Sequence, residues 1–213
     1  MTKKIFVFIG KQGVGKDTAA AIVGKYFEGR NYAFADLLRQ TCWNLFSHKL
    51  QYKDRLFSNF EEKNKPVPGW IIPKDTAKLL GVPEGTEWSG RRLLQWFGTE
   101  VARTGSGYDD IWIDHLLERV ENSPSNIVTI TDCRFPNEYA ALQGIASTHN
   151  IVFVNITRDL VENSQVANHS SEKYISKLKW DYTIVNNGDL ASFQTSVINL
   201  VYTYLPKKPF SPK

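Results

Sequence analysis

Cysteine is nearly missing from this sequence: Cys42 and Cys133 are its only two. Two thiols set so far apart form neither a disulfide framework nor a zinc site, and a reducing interior is the expected setting. Long hydrophobic runs are missing as well, so no stretch is expected to span a bilayer. The opening MTKKIFVFIG has the basic start of a signal peptide, but its apolar run is short and ends in glycine and lysine. A cytoplasmic location is therefore expected, the host's cytoplasm if the chain is viral. The Asn-x-Ser/Thr matches at Asn155 and Asn168 then read as chance. No internal repeat or low-complexity tract is visible. An excess of one charge sign is also lacking, with a net charge of +4 over 213 residues. That suits a small anionic ligand and argues against a nucleic-acid partner, which calls for a broad basic surface. The tail PKKPFSPK, residues 206–213, carries part of the charge and reads as a flexible end.

What is present is a regular alternation. A chain of this length fits one domain, 1–213, with a small insertion. Residues 4–9 read as a buried strand, short, β-branched and aromatic. TAAAIVGKYF follows with helical spacing, then NYAFA as a second strand and DLLRQTCWNLFSHKL as a helix with Asp36 at its N-cap. Residues 51–87 are rich in proline, glycine and charge and show no periodicity, which marks an inserted substrate-side segment or a loop. Ser89 then caps a helix through GRRLLQWFGTEVART, and Asp109 or Asp110 caps IWIDHLLERVE. NIVTIT, IVFVNIT and YTIVN read as strands, interleaved with helices at PNEYAALQGI, SEKYISKL and LASFQTSVINLVYTYL. Roughly five βα units predict an α/β fold with a parallel sheet flanked by helices.

The first strand runs into GKQGVGKDT, residues 10–18. Gly10, Gly15 and Lys16 match the spacing G-x-x-x-x-G-K-[ST], with Asp17 in place of the hydroxyl residue. Glycines let such a loop turn its N–H groups inward onto phosphate oxygens, and the following helix presents its positive end. Lys16 can bridge the outer phosphates as a mobile point charge. Mg²⁺ prefers oxygen ligands and keeps its waters, so Asp17 can hold it directly or through water, with Thr18 as a second ligand. The plainer alternative for Asp17 is electrostatic support of the first helical turn.

In open α/β sheets ligands bind beyond the carboxyl ends of the strands. Asp132 and Arg134 follow NIVTIT there, and Arg158 follows IVFVNIT. Two residues apart in extended chain, Asp132 and Arg134 point the same way, and Cys133 between them faces the core. Arg134 can clamp a phosphate, and Asp132 can meet a metal-bound water, a substrate hydroxyl or a base. A structural ion pair is the alternative. In the helix after Ser89, Leu93, Phe97 and Val101 form the core stripe. Arg91 and Arg92 near its start oppose the helix dipole, which points to anion binding, against the alternative of a solvated basic face. Gly98 inside this helix costs about 1 kcal/mol relative to alanine, and implies a close approach or a break. Residues 158–175 fit a lid closing over phosphates, in which His169 could contribute. The turn at Asn186, Asn187 and Gly188 offers amides to a base edge.

Taken together, GKQGVGKDT, FADLLR, KDR, WSGRRLLQWFGTE, DIW, TDCRFPNE, NHSSE and IVNNGDL resemble, in order, the bacteriophage deoxynucleoside monophosphate kinases. Animal-type phosphomevalonate kinases and dephospho-CoA kinases look like more distant relatives. The resemblance implies a P-loop kinase that phosphorylates deoxynucleoside 5′-monophosphates with ATP and Mg²⁺. It implies that Gly13, Val14, Gly15, Lys16, Asp17 and Thr18 hold ATP and its metal, with Asn187 at the adenine. Arg55, Arg91, Arg92, Gly98, Thr99 and Trp112 would line the monophosphate site, within an inserted region 51–110, with Asp132, Arg134 and Glu138 beside it. Lys16, Arg91, Arg134 and Arg158 would carry catalysis. Small nucleotides are then the expected partners, and a homodimer stays open. Two other readings remain at this point. One is a kinase for a modified base in DNA or another small phosphorylated acceptor. The other is a nucleotide-binding module without turnover.

Overall fold

The computed structural model describes residues 2–58, 60–159, 174 and 178–205. Most of the expected lid, the helix SEKYISKL, His169 and the tail lie outside the described residues. The chain divides into two compact units, Met1–Ala33 with Leu116–Lys213, and Phe34–His115.

The first unit holds the sheet. Strands β1 (Lys4–Ile9), β2 (Arg30–Tyr32), β5 (Ile127–Ile130), β6 (Asn150–Thr157) and β7 (Tyr182–Val185) lie in the order β2-β5-β1-β6-β7. Every neighbouring pair is parallel. β1 is central, and Ile5 through Ile9 are all fully buried. A parallel sheet covered on both faces requires such an unbroken apolar run. Phe6 and Phe8 face one side, where they join Val152, Val154 and Ile156 of β6. Onto that face pack α1 (Lys16–Phe27), through Ala19, Ala20, Ile22 and Val23, and α9 (Leu190–Tyr204), through Phe193, Val197, Leu200 and Val201. α9 starts cleanly because the Asp189 carboxylate accepts from the Ser192 N–H at 2.8 Å. α8 (Pro136–Gly144) begins with proline at its first turn, as expected.

The second unit is built from shorter pieces. α2 (Ala35–Leu50) leads into α3 (Asp54–Phe57), α4 (Phe60–Asn64), β3 (Pro66–Ile71), α5 (Lys74–Leu80) and β4 (Glu87–Ser89). β3 and β4 pair antiparallel. These pieces explain why residues 51–87 lack periodicity: elements of three to seven residues are too short to display one. Their order comes from a shared core. Cys42 and Leu50 of α2 pack with Leu56, Val67, Ile72, Ala77, Trp88 and Leu93. Phe46, Trp70, Trp88 and Trp96 continue it as a ladder of tilted rings with centroids 5.3–5.8 Å apart. Since α2 shares this core, the second unit begins at Phe34.

Three local expectations need correcting here. Asp36 is not the N-cap of α2. The cap position is Phe34, already in helical conformation, and Asp36 sits in the first turn, bonded to Arg39. Ser89 does cap α6 (Gly90–Gln95), accepting from the Arg92 N–H at 3.3 Å. That helix then widens into a π-helical segment, Trp96–Thr104. With bonds running to the fifth residue, the inward positions advance by five, from Leu93 to Gly98. Val101 is thereby turned outward, 38 % exposed, and drops out of the predicted stripe. Gly98 is neither a helix break nor a place where backbone approaches. A Cβ there would meet Leu38 Cδ2 of α2 at 2.7 Å, so it is the side chain of Leu38 that packs over Gly98 and would have to shift for any larger residue. α7 (Ile111–Glu121) follows, its first turn closing on the carbonyl of Asp110, which accepts from Ile113 at 2.8 Å and Asp114 at 3.0 Å.

Candidate active site

The loop after β1 is shaped by its glycines. Gly10, Gly13 and Gly15 have φ of 142°, 85° and 111°, a region that side-chain-bearing residues avoid. Gly10 is needed twice over, because a Cβ would fall 2.3 Å from the carbonyl oxygen of Ile156 in β6. Val14 is fully buried and pins the loop to the core, so its backbone is what it can offer a ligand. The Lys16 ammonium donates to the carbonyls of Gly10 at 2.7 Å and Lys11 at 2.6 Å, which holds its charge at the mouth of the loop. Asp17 and Thr18 lie exposed in the first turn of α1. The strand, loop and helix thus present inward-turned N–H groups, a lysine and two oxygen-bearing side chains, which is the donor set a magnesium nucleotide requires. Among the described residues no cluster of three His, Cys, Asp or Glu forms a protein cage for a metal.

Sequence reasoning placed Asn186 in a base-facing turn and did not foresee that it fastens this loop. Asn186, just past β7, donates its side-chain amide to the Val14 carbonyl at 2.8 Å, across 172 residues of chain. The same amide nitrogen lies 2.8 Å from where a Gly15 Cβ would be, with the Phe193 ring at 3.3 Å. Asn187, expected at the adenine, is paired with Asp159. Its amide donates to that carboxylate at 2.7 Å, and its oxygen accepts from the Asp159 N–H at 2.9 Å. No sequence signal separates the two asparagines.

β5, β1 and β6 are adjacent and parallel, so their carboxyl ends share one edge of the sheet. Neighbouring strands lie about 5 Å apart. The segments that follow them carry Asp132 and Arg134, the phosphate loop, and Arg158. Beyond β5 burial alternates: Thr131 and Cys133 are buried, Asp132 and Arg134 half-exposed. The two predicted site residues therefore share a side. Burial pushes the Cys133 thiol far up, with Glu138 and Asp132 adding to the shift. Cys42, buried in the second unit, is pushed up to about 12. Neither is a nucleophile. Glu138, 3 % exposed, accepts the N–H groups of Arg134 at 2.8 Å and Phe135 at 3.1 Å. It anchors the backbone of Arg134 at the start of α8. Arg158 keeps its Nε buried without a hydrogen-bond partner among the described residues.

The second unit holds the other candidates. Arg91 and Arg92 are half-exposed in the first turn of α6, and Thr99 is exposed on the π-helical segment. Arg55 Nη1 donates to the carbonyls of Lys65 at 2.9 Å and Pro66 at 2.7 Å, tying α3 to β3. Its own carbonyl comes so close to Gly90 that a Cβ there would lie 1.7 Å away. Trp112, 4 % exposed, donates its indole N–H to the Gly98 carbonyl at 3.1 Å. The bond ties the start of α7 to the π-helical segment.

A central parallel sheet, a glycine loop ahead of α1 and cationic side chains at neighbouring strand ends define a P-loop kinase, a phosphotransferase by class. Residues 55–197 match the family model described as "Deoxynucleotide monophosphate kinase". The chain belongs to the deoxynucleotide monophosphate kinase family. The matched span begins after the phosphate loop, so the loop and the family match are separate observations. A "Putative deoxynucleotide monophosphate kinase" of Acanthamoeba polyphaga mimivirus is 24% identical over 204 residues, covering 91% of this chain and 93% of that protein. That relative comes from a virus and not from a bacteriophage. Among solved structures, shikimate kinase from Aquifex aeolicus is similar at 13% identity and TM-score 0.46, covering 93% of this chain and 96% of its own. Dephospho-CoA kinase from Campylobacter jejuni is similar at 13% identity and TM-score 0.45, covering 95% of this chain and 96% of its own. Neither likeness bears on the substrate.

Proposed function

We propose that the protein transfers the γ-phosphoryl group of ATP to a deoxynucleoside 5′-monophosphate, giving a deoxynucleoside diphosphate and ADP. The observation that carries this reading, beside the family, is the trio of Lys16, Arg134 and Arg158 gathered at the ends of three adjacent strands. A loop that only stores a nucleotide does not need two further arginines at its flanks.

In this reading the first unit binds ATP. The loop N–H groups and Lys16 hold its β- and γ-phosphates, with Asn186 keeping the loop in shape. Mg²⁺, when bound, neutralises phosphate charge, and Asp17 and Thr18 would hold it with the help of water. Residues of the second unit, Arg91, Arg92 and Thr99, take the acceptor. Phosphoryl transfer asks little covalent chemistry of a protein. An oxygen of the acceptor 5′-phosphate bonds to the γ-phosphorus while the bond from that phosphorus to the β-bridging oxygen breaks, and ADP leaves with the electron pair. The acceptor is already ionised, so no general base is required. Lys16, Arg134 and Arg158 act by positioning and by spreading the charge. No helix among the described residues is long and apolar enough to cross a membrane, and the acceptor is taken to be a free nucleotide.

The test is ADP formation in the presence of ATP, Mg²⁺ and each of the deoxynucleoside monophosphates in turn. Turnover with at least one supports the reading. Phosphorylation of DNA with no turnover of any mononucleotide would replace it, and binding of ATP without any acceptor would leave only a nucleotide-binding module.

A further inference from the structure

β2 and β5 are parallel neighbours, and their amino ends share the edge of the sheet away from the phosphate loop. That edge carries a cavity of about 660 Å³, within the range of about 300–1,000 Å³ usual for small-molecule sites. One wall is the end of α1 and the turn into β2, with Phe27, Glu28 and Gly29. The other is the loop ahead of β5, with Pro124, Ser125 and Asn126. The Ser125 hydroxyl joins the two walls by donating to the Glu28 carbonyl at 3.0 Å. α1 is 12 residues long, about 18 Å, so the cavity and the phosphate loop lie at its opposite ends. The proposed phosphoryl transfer makes no use of the cavity.

The groups around the cavity favour a cation. The N–H groups of Glu28 and Gly29 both turn back to the Val23 carbonyl. The carbonyls of Gly24 through Phe27 are left without a partner inside the helix, and they form its negative end. Glu28 adds an exposed carboxylate that has no hydrogen bond or ion pair among the described residues. Its backbone, at φ 56° and ψ 26°, is left-handed. Glycine suits that conformation and glutamate does not. A strained residue kept where glycine would be easier points to a task for its side chain. Lys25, in the same turn, lies over the Tyr26 ring at 5.1 Å and does not border the cavity. Arg30 does border it and makes no ion pair with Glu28. Its charge opposes a second positive group nearby. We propose that the cavity binds a small organic cation with a single ammonium or guanidinium head on an apolar body. The head meets the Glu28 carboxylate and the free carbonyls at the end of α1, and the body lies against Phe27.

Calorimetric titration with butylammonium chloride and butylguanidinium chloride, run beside sodium chloride and butanol, tests it. At least one of the two organic cations binds the wild type, while butanol and sodium do not. Glu28→Gln weakens that binding by about tenfold or more, and Arg30→Gln tightens it by about threefold. Glu28→Gly loses the binding as well, yet melts at or above the wild type, because glycine fits a positive φ. If neither organic cation binds above the salt control, or if Glu28→Gln binds them as the wild type does, the inference is overturned. It is overturned too if Glu28→Gly melts well below the wild type, since the glutamate then serves the fold. The proposed function stands apart from all of these results, because ATP is held at the other end of α1 in that reading.

Discussion

On the proposed reading, the two units hold an anion by different means. In the first, the phosphate loop relies on backbone: three glycines at positive φ, the N–H groups they turn inward, and the end of α1. In the second, the candidate groups are the guanidinium forks of Arg91 and Arg92 on α6, beside a core of short elements packed around four tryptophans and Phe46. Backbone donors bind phosphate wherever a strand, a tight loop and a helix follow one another. Side-chain forks bind it only once the elements beneath them are placed. The first unit should therefore lose function through single local changes and keep its fold. The second should lose fold and function together.

The largest expected effect is at Lys16. Lys16→Ala should lower kcat/KM by at least about 100-fold, with the melting temperature nearly unchanged, because the bonds of its ammonium to the Gly10 and Lys11 carbonyls stay within its own loop. A large loss of stability would break the distinction drawn between the units. Gly90→Ala comes next and should behave in the opposite way. The new Cβ collides with the backbone carbonyl of Arg55, and urea unfolding should show a loss of more than about 3 kcal/mol. Gly107→Ala, at φ 67° with open space around it, should cost only about 1 kcal/mol.

Substrate discrimination gives the third pair. Asn186→Ala removes the amide bonded to Val14 and should raise the ATP KM about fivefold, the effect of a hydrogen bond worth about 1 kcal/mol. Arg91→Ala should raise the acceptor KM and spare that of ATP. The reverse pattern, read from initial rates with each substrate varied, would exchange the roles of the units. The smallest effect concerns acid. Asp189, the cap of α9, is held below its ordinary value of 3.8 by hydrogen bonds from the Ser192 side chain and then its backbone N–H. A carboxyl depressed in the fold contributes stability above its unfolded value and loses it as pH falls through its folded value. Asp189→Asn should therefore lower stability slightly at neutral pH, with the difference from the wild type vanishing as pH falls below about 4.

Legibility followed the same division. β1, the loop and α1 are contiguous, and their pattern is complete within 24 residues of chain, Lys4–Phe27. Arg134 and Arg158 were found because each directly follows a short β-branched strand. Asn186 was not singled out, since its partner Val14 is remote and an asparagine pair before glycine occurs in any turn. Val101 was placed in the core because helical spacing assumes 3.6 residues per turn, and only packing against α2 shows that the turn is wider there.

From the sequence alone came the parallel sheet, the phosphate loop and the cations at its strand ends. Each depends on neighbours along the chain: apolar runs that must be buried, glycines that must turn, and residues that follow a strand. The clamp on the loop, the π-helical turn and the core beneath residues 51–87 were settled by tertiary structure. They arise from atoms brought together across long stretches of chain, and no local pattern records which of them will meet.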